Sequence, residues 1–217
     1  MAFPNDSITV TPGTGASVAT QLANSKEYQV VMVADDDGHL HGSLPRYRLI
    51  IPSQAVGASK VFCDLFNATG SGKIIRITSL FAYCDNDTAV TGTLGVEVAL
   101  TRTTAVGTGG TAASNDGTTL TAATISRMDT TDSVVPAQIT ARAAPTGGAT
   151  AGAYLGSRWV FTEETNAGSA LAGMLGSDLI RNDGSKLIIR ENEGLRVVQG
   201  TVASVGSIAI EINFELI

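Results

Sequence analysis

At 217 residues the chain can bury a large core and still fold as one all-β domain. Charged residues make up 16% of it, against about 25% in an average soluble domain, and its mean hydropathy is +0.19 although no apolar run is long enough to cross a membrane as a helix. A net charge of −6 and a pI near 4.8 argue against direct nucleic-acid binding, which needs clustered Lys and Arg, so the polarity missing from the surface is expected to be covered by other protein.

Residues 1 to 26 are rich in Thr, Gly, Ser and Ala, with short apolar alternations at Ile8 and Val10 and at Ala16 and Val18. Such a segment buries too little to fold alone. It reads as an extended N-terminal arm ordered against a neighbour or its own body, which makes Ile8, Val10 and Val18 the candidate interface residues; a tail without fixed structure fits the composition as well. The body is expected over 27–217, with 27–59 as a peripheral N-terminal subregion. Neither a basic n-region nor an apolar h-region follows Met1, so no secretory leader is read and a cytoplasmic start is expected.

Glu27 to Ala34 reads as a strand, followed by the turn Asp35-Asp36-Asp37-Gly38. A calcium loop would continue with oxygen ligands, and Leu40, Gly42 and Leu44 stand there instead. His39 and His41 would share a strand face, but zinc needs three or four ligands and the chain holds no other histidine; only copies meeting on a symmetry axis could complete a set. No metal or other cofactor is therefore assigned. Pro45 and Pro52 bracket Arg46 to Ile51, an expected edge strand or connector, because proline cannot donate to a ladder.

Lys60 to Asn67 alternates as a strand and leads into Ala68-Thr69-Gly70-Ser71-Gly72-Lys73. This stretch resembles half of a phosphate loop. It departs from GxxxxGK[ST] at Asn67, where glycine is required, and at Ile74, where Ser or Thr is, so a hairpin turn is expected. Ile74 to Cys84 and Thr93 to Arg102 read as the two arms of a long β-hairpin closed by the Asn, Asp and Gly of 85–92. The first arm offers Ile75, Ile77, Ser79, Phe81 and Tyr83 on one face; the second offers Leu94, Val96, Val98 and Leu100. Cys63 and Cys84 are too few for a disulfide framework and read as free, buried, small apolar residues.

Residues 103–115 form a long small-residue loop, Thr118 to Ile125 a short strand, 128–135 a further loop, and Gln138 to Arg142 a strand with Ile139 and Ala141 on one face. Tyr154 to Glu163 carries the single tryptophan, Trp159, in a strand whose aromatic face is expected to plug the core, the minor alternative being a stacking platform for a sugar or base. Glu163 and Glu164 are adjacent and so face opposite sides of a strand, which spoils them as a glycosidase pair. Ala167 to Leu179 is the one helix candidate, weakened by Gly168, Gly173 and Gly176. Lys186 to Arg190 and Leu195 to Gln199 read as a second hairpin. Ser207 to Leu216 closes the chain with Ile208, Ile210, Ile212, Phe214 and Leu216 on one face. Nine or ten strands without a useful helix predict an all-β, two-sheet antiparallel β-sandwich, with jelly-roll connections as one option.

Nucleophilic catalysis needs a base beside the nucleophile; both histidines lie in one segment, and no serine sits in a G-x-S-x-G elbow. No catalytic residue is assigned, and the chain is read as a non-enzyme.

Several phrases together are similar to minor virion proteins of tailed bacteriophages and prophages: Tyr28 to Asp35 with Asp37-Gly38-His39, Val90 to Leu94, Leu100 to Ala105, Met128 to Thr130, Val135 to Arg142, and Arg190 to Leu195. The similarity spans most of the chain from about Lys26. It implies a virion structural protein assembled in the host cytoplasm, foremost a capsid decoration or cement protein that forms a homo-oligomer, a trimer, on the major capsid protein. A tail or baseplate component, or an adhesin for host glycans, is the alternative. A glycan binder would expose Trp159 and Tyr154 along a groove. A third option, an enzyme acting on cell-wall polymers, would need two facing carboxylates about 5 to 9.5 Å apart.

Overall fold

The computed structural model describes residues 18–23, 26–31, 44–84, 90–147, 152–162, 176–178 and 187–217. Two stretches are each compact, Met1–Leu44 and Pro45–Ile217. In the first, β1 (Val18–Ala23) and β2 (Lys26–Val31) pair antiparallel, with Val18 opposite Val31 and Ala23 opposite Lys26.

The second is a two-sheet β-sandwich. One sheet has six strands in the order β11 (Tyr154–Phe161), β6 (Gly95–Thr103), β14 (Glu193–Gln199), β4 (Val61–Asn67), β10 (Ile139–Ala143) and β7 (Thr111–Ala112). The other has seven, in the order β12 (Gly176–Asp178), β5 (Ile75–Cys84), β15 (Ser207–Leu216), β3 (Arg46–Ala55), β9 (Thr124–Arg127) and β8 (Ser114–Asn115), with β13 (Leu187–Ile189) also on β5. Every pairing is antiparallel except that of β8 with β9. No helix occurs among the described residues.

The core is filled from both inner faces by Leu49, Ile51, Leu65, Ile75, Ile77, Val96, Val98, Leu195, Val197 and the isoleucines of β15. Tyr47 and Phe214 stack with ring centroids 5.4 Å apart. Each such side chain, fully removed from water, contributes about 1.5–3 kcal/mol. The alternation expected in β15 is present: Ile208, Ile210, Ile212, Phe214 and Leu216 are buried. Cys63 and Cys84 are both buried and unbonded, and they lie in different sheets.

Neither expected hairpin forms. β5 belongs to the seven-stranded sheet and β6 to the six-stranded one, so the two strands are not side by side. In the same way β13 pairs with β5 while β14 pairs with β4 and β6, so the Glu191–Asn192 turn is a crossing between sheets. The Ala68–Lys73 loop, expected as a hairpin turn, carries the chain from β4 in one sheet to β5 in the other. A crossing of this kind lets both strands turn an apolar face to the shared core, whereas a hairpin would place them side by side in one sheet.

β5 corrects its own face assignment midway. Phe214 pairs with Ile77 and Asn213 with Ser79, so Thr78 is an extra residue in a β-bulge, and its Oγ1 donates to the carbonyl of Asn213 at 3.1 Å. Before the bulge Ile75 and Ile77 face the core; after it Leu80, Ala82 and Cys84 do, and Phe81 is exposed.

The strand between the prolines is not an edge. β3 runs on through Pro52 to Ala55 and lies between β15 and β9. Pro52 is tolerated because β9 pairs only with residues 47–50 and because Pro52 and Ser53 bulge opposite Ala209. Of the helix candidate, Gly176–Asp178 forms β12 on β5, and the rest lies outside the described residues. The short strand expected at Thr118 to Ile125 begins later, at Thr124.

Candidate functional site

The two outer faces of the sandwich differ in chemistry. On the seven-stranded sheet, the Glu215 carboxylate accepts from Arg46 Nε at 3.2 Å and Arg76 Nε at 2.8 Å, and Arg48 reaches Glu211 and Asn213 at 3.2 and 3.0 Å. This is a polar, mutually paired face. A shallow cleft of about 420 Å³ lies on it, lined by Arg48, Thr78, Ser79 and Asn213.

On the six-stranded sheet the middle strands are roofed by loops. Asp64 of β4 and Arg196 of β14 are cross-strand partners, 1% and 5% exposed, with Arg196 Nη2 3.4 Å from Asp64 Oδ2 and 3.2 Å from the Gly147 carbonyl. Gly107 closes over the pair so tightly that any Cβ there would collide with Asp64 and Pro145. Burial pushes the Asp64 carboxyl above its ordinary range, against the opposing pull of Arg196 and the Gly107 amide.

β11 is the edge strand of the same sheet. β11 pairs only with β6, and its other edge has no strand partner among the described residues. A bulge between Tyr154 and Gly156, where Gly156 takes φ +135°, sets the register. Beyond it Val160 enters the core, while Trp159 and Phe161 point outward, each 53% exposed, with Tyr154 62% and Leu155 39% exposed. The indole and the Phe161 ring lie over Gly95 of β6, where a Cβ would sit 3.2 Å from the Trp159 ring. Beside the rings runs a hydrogen-bonded row in which Tyr154 OH donates to Ser157 Oγ at 2.7 Å and Ser157 Oγ donates to Glu97 Oε1 at 2.8 Å. Single exposed apolar side chains such as Leu120 and Val202 are ordinary on a surface, whereas Tyr154, Leu155, Trp159 and Phe161 are exposed together along one strand.

The expectation that the β11 aromatics plug the core is overturned. Val160 shares the inner face with Gly156 and Arg158 and is the one buried residue of the strand, while Trp159 stands on the opposite face. Trp159 and Tyr154 are exposed as a glycan binder requires, but no β11 residue lines either described cleft; the second, about 390 Å³, is lined by Val61, Thr101, Gly152, Arg196 and Val198 and reaches only Thr101, the cross-strand partner of Tyr154. Of the candidate interface residues, Val18 opens β1 opposite Val31, and Ile8 and Val10 lie outside the described residues. His39, His41, the Asp35–Gly38 turn, Glu163 and Glu164 lie outside them too. Among the described residues no three His, Cys, Asp or Glu side chains gather as a metal set would. The Tyr154–Ser157–Glu97 row escaped the sequence reading because Glu97 comes from another strand, paired with β11 only in the fold.

Compared with protein-family models, with curated proteins and with solved structures, the chain matches none of them.

Proposed function

We propose that this chain is a non-enzymatic structural protein of a tailed-phage virion, a capsid decoration protein that oligomerises, as a trimer, on the outer head surface and braces the major capsid protein lattice. The observation that carries the reading is strand order. With β3, β4, β5, β6, β11, β12, β14 and β15 taken as first to eighth, one sheet runs sixth, third, eighth, first and the other fifth, fourth, seventh, second. We infer that this is jelly-roll connectivity, an architecture used by viral capsid and lectin domains. A fold by itself hosts many functions. The resemblance in sequence, the scarcity of charge and the uncovered aromatic edge all point within that range to a protein that docks on protein.

A docking role makes Trp159 and Phe161 anchors, since large aromatics dominate interface energetics. Heads assembled without this protein, mixed with purified chain and sedimented, are expected to carry it down, and Trp159→Ala is expected to weaken that binding at least about tenfold. Heads that leave the wild-type chain in the supernatant would refute the proposal.

A second reading, a glycan-binding tail or baseplate adhesin, is favoured by one observation. A flat indole stands beside the hydroxyl and carboxylate row of Ser157 and Glu97, the combination that stacks on a sugar face and bonds its hydroxyls. It predicts glycan-array binding that is lost in Trp159→Ala, together with no affinity for heads.

A further inference from the structure

The loop that fails as a nucleotide-binding motif nevertheless holds an anion. Gly70 and Gly72 both take left-handed backbone angles, φ +86° and +63°, with Ser71 between them. Their amides converge on one oxygen: Gly70 N–H donates to Glu191 Oε1 at 3.1 Å and Gly72 N–H donates to it at 2.8 Å. Ser71 Oγ lies 3.3 Å from the same atom and also contacts the Lys73 main chain, accepting from its N–H at 3.1 Å. Two glycine amides turned on one oxygen in this way form an anion-binding concavity. The sequence requirement is conformational, since a Cβ on either glycine would meet nothing within 4 Å.

The surroundings fix the loop firmly. Asn67 Nδ2 donates to the Lys73 carbonyl at 2.8 Å, Thr69 Oγ1 donates to Asn192 Oδ1 at 2.6 Å, and the Asn192 amide donates to the Asn67 carbonyl at 2.7 Å. The receptor therefore stands at one end of the sandwich, between two inter-sheet crossings, and Glu191 reaches it from the second crossing.

We propose that the Gly70–Lys73 loop is an oxyanion-binding site whose resident ligand is the Glu191 carboxylate, so that phosphate or an external carboxylate enters once Glu191 is removed. A nucleotide does not fit this site: Ile74 replaces the Ser or Thr that would hold magnesium, and the loop leads into a strand, so no helix N-terminus faces the anion. A small oxyanion needs only the two amides and the hydroxyl. A carboxylate tethered in the same molecule competes with external anions in the wild type at an effective concentration on the order of millimolar.

The test is an amide-resolved NMR titration of wild type, Glu191→Ala and Glu191→Ala/Ser71→Ala with inorganic phosphate, and separately with acetate. In Glu191→Ala the Gly70 and Gly72 amides are expected to shift saturably with both anions, at concentrations at least about tenfold below any response of the wild type. Loss of Ser71 Oγ is expected to weaken both. Three outcomes overturn the proposal: no shift at Gly70 and Gly72 in a folded Glu191→Ala, shifts of equal midpoint in wild type and variant, or a Glu191→Ala loop that is broadened and stays so at saturating phosphate.

Discussion

The Asp64–Arg196 pair is the most demanding contact in the sandwich, because both charges have left water beneath Gly107 and Gly147. Since burial raises the Asp64 carboxyl, the folded state holds that proton more readily than the unfolded chain does. Its contribution to stability therefore falls as pH rises through the window from the ordinary carboxyl value, about 4, up to the raised one. Arg196→Met removes the opposing guanidinium and extends that window upward. A loss of about 3–5 kcal/mol is expected near neutral pH, shrinking in acid where Asp64 is protonated; urea denaturation at both pH values measures it, and a pH-independent loss would contradict the assignment. Trp159 stands at the other extreme. Trp159→Ala is expected to cost less than about 1 kcal/mol, against about 3–5 kcal/mol for Phe214→Ala, and the wild-type fluorescence is expected to show a solvated indole. Comparable losses for the two variants would mean that Trp159 is core. Residue-level signals for the pair were weak in the sequence, since Asp64 and Arg196 are ordinary charged residues on apolar strands until the loops close over them.

Strands were far more legible than their partners. The alternation of β15 and the extent of β10 and β11 follow from period-two patterning, which is a local property. What local pattern cannot distinguish is a hairpin from a crossing between sheets, because both are two strands joined by a polar turn; the difference lies in long-range pairing of β5 with β15 and of β14 with β4. The β5 bulge was equally hidden, although Phe81 next to Leu80 and Ala82 breaks the single-face pattern. Because Thr78 is the extra residue, its deletion leaves Ile77 and Leu80 two apart, so a regular strand keeps Ile75, Ile77, Leu80 and Ala82 on the core face; deleting Thr78 and Ser79 together instead sets Leu80 opposite Asn213 and turns one half of the strand out of the core. The single deletion is expected to retain cooperative thermal unfolding and the double deletion to abolish it. A double-deletion variant that melts cooperatively near the wild-type temperature would show that the residue count across the bulge does not set the faces of β5.

Among the residues whose side chains are described, the core lies within Pro45–Ile217, which is compact by itself. Removing residues 1–44 is therefore expected to leave a cooperatively folding sandwich, and loss of the near-ultraviolet circular dichroism of that fragment would place part of the core in the missing segment. Composition made the class of the whole molecule legible, while the direction in which its sparsely charged surface turns depended on the pleat of β11. Among the described residues one outer face carries paired Arg and Glu, loops lie over Asp64 and Arg196 on the other, and the exposed aromatics of β11 are the surface we propose for a partner. Electron cryomicroscopy of the virions proposed to carry this chain is the most direct measurement. The account predicts regularly repeated sandwich density on the outer head, with Trp159 and Phe161 buried against a neighbouring subunit. Heads bare of this chain, or copies whose β11 aromatics face solvent, would contradict it.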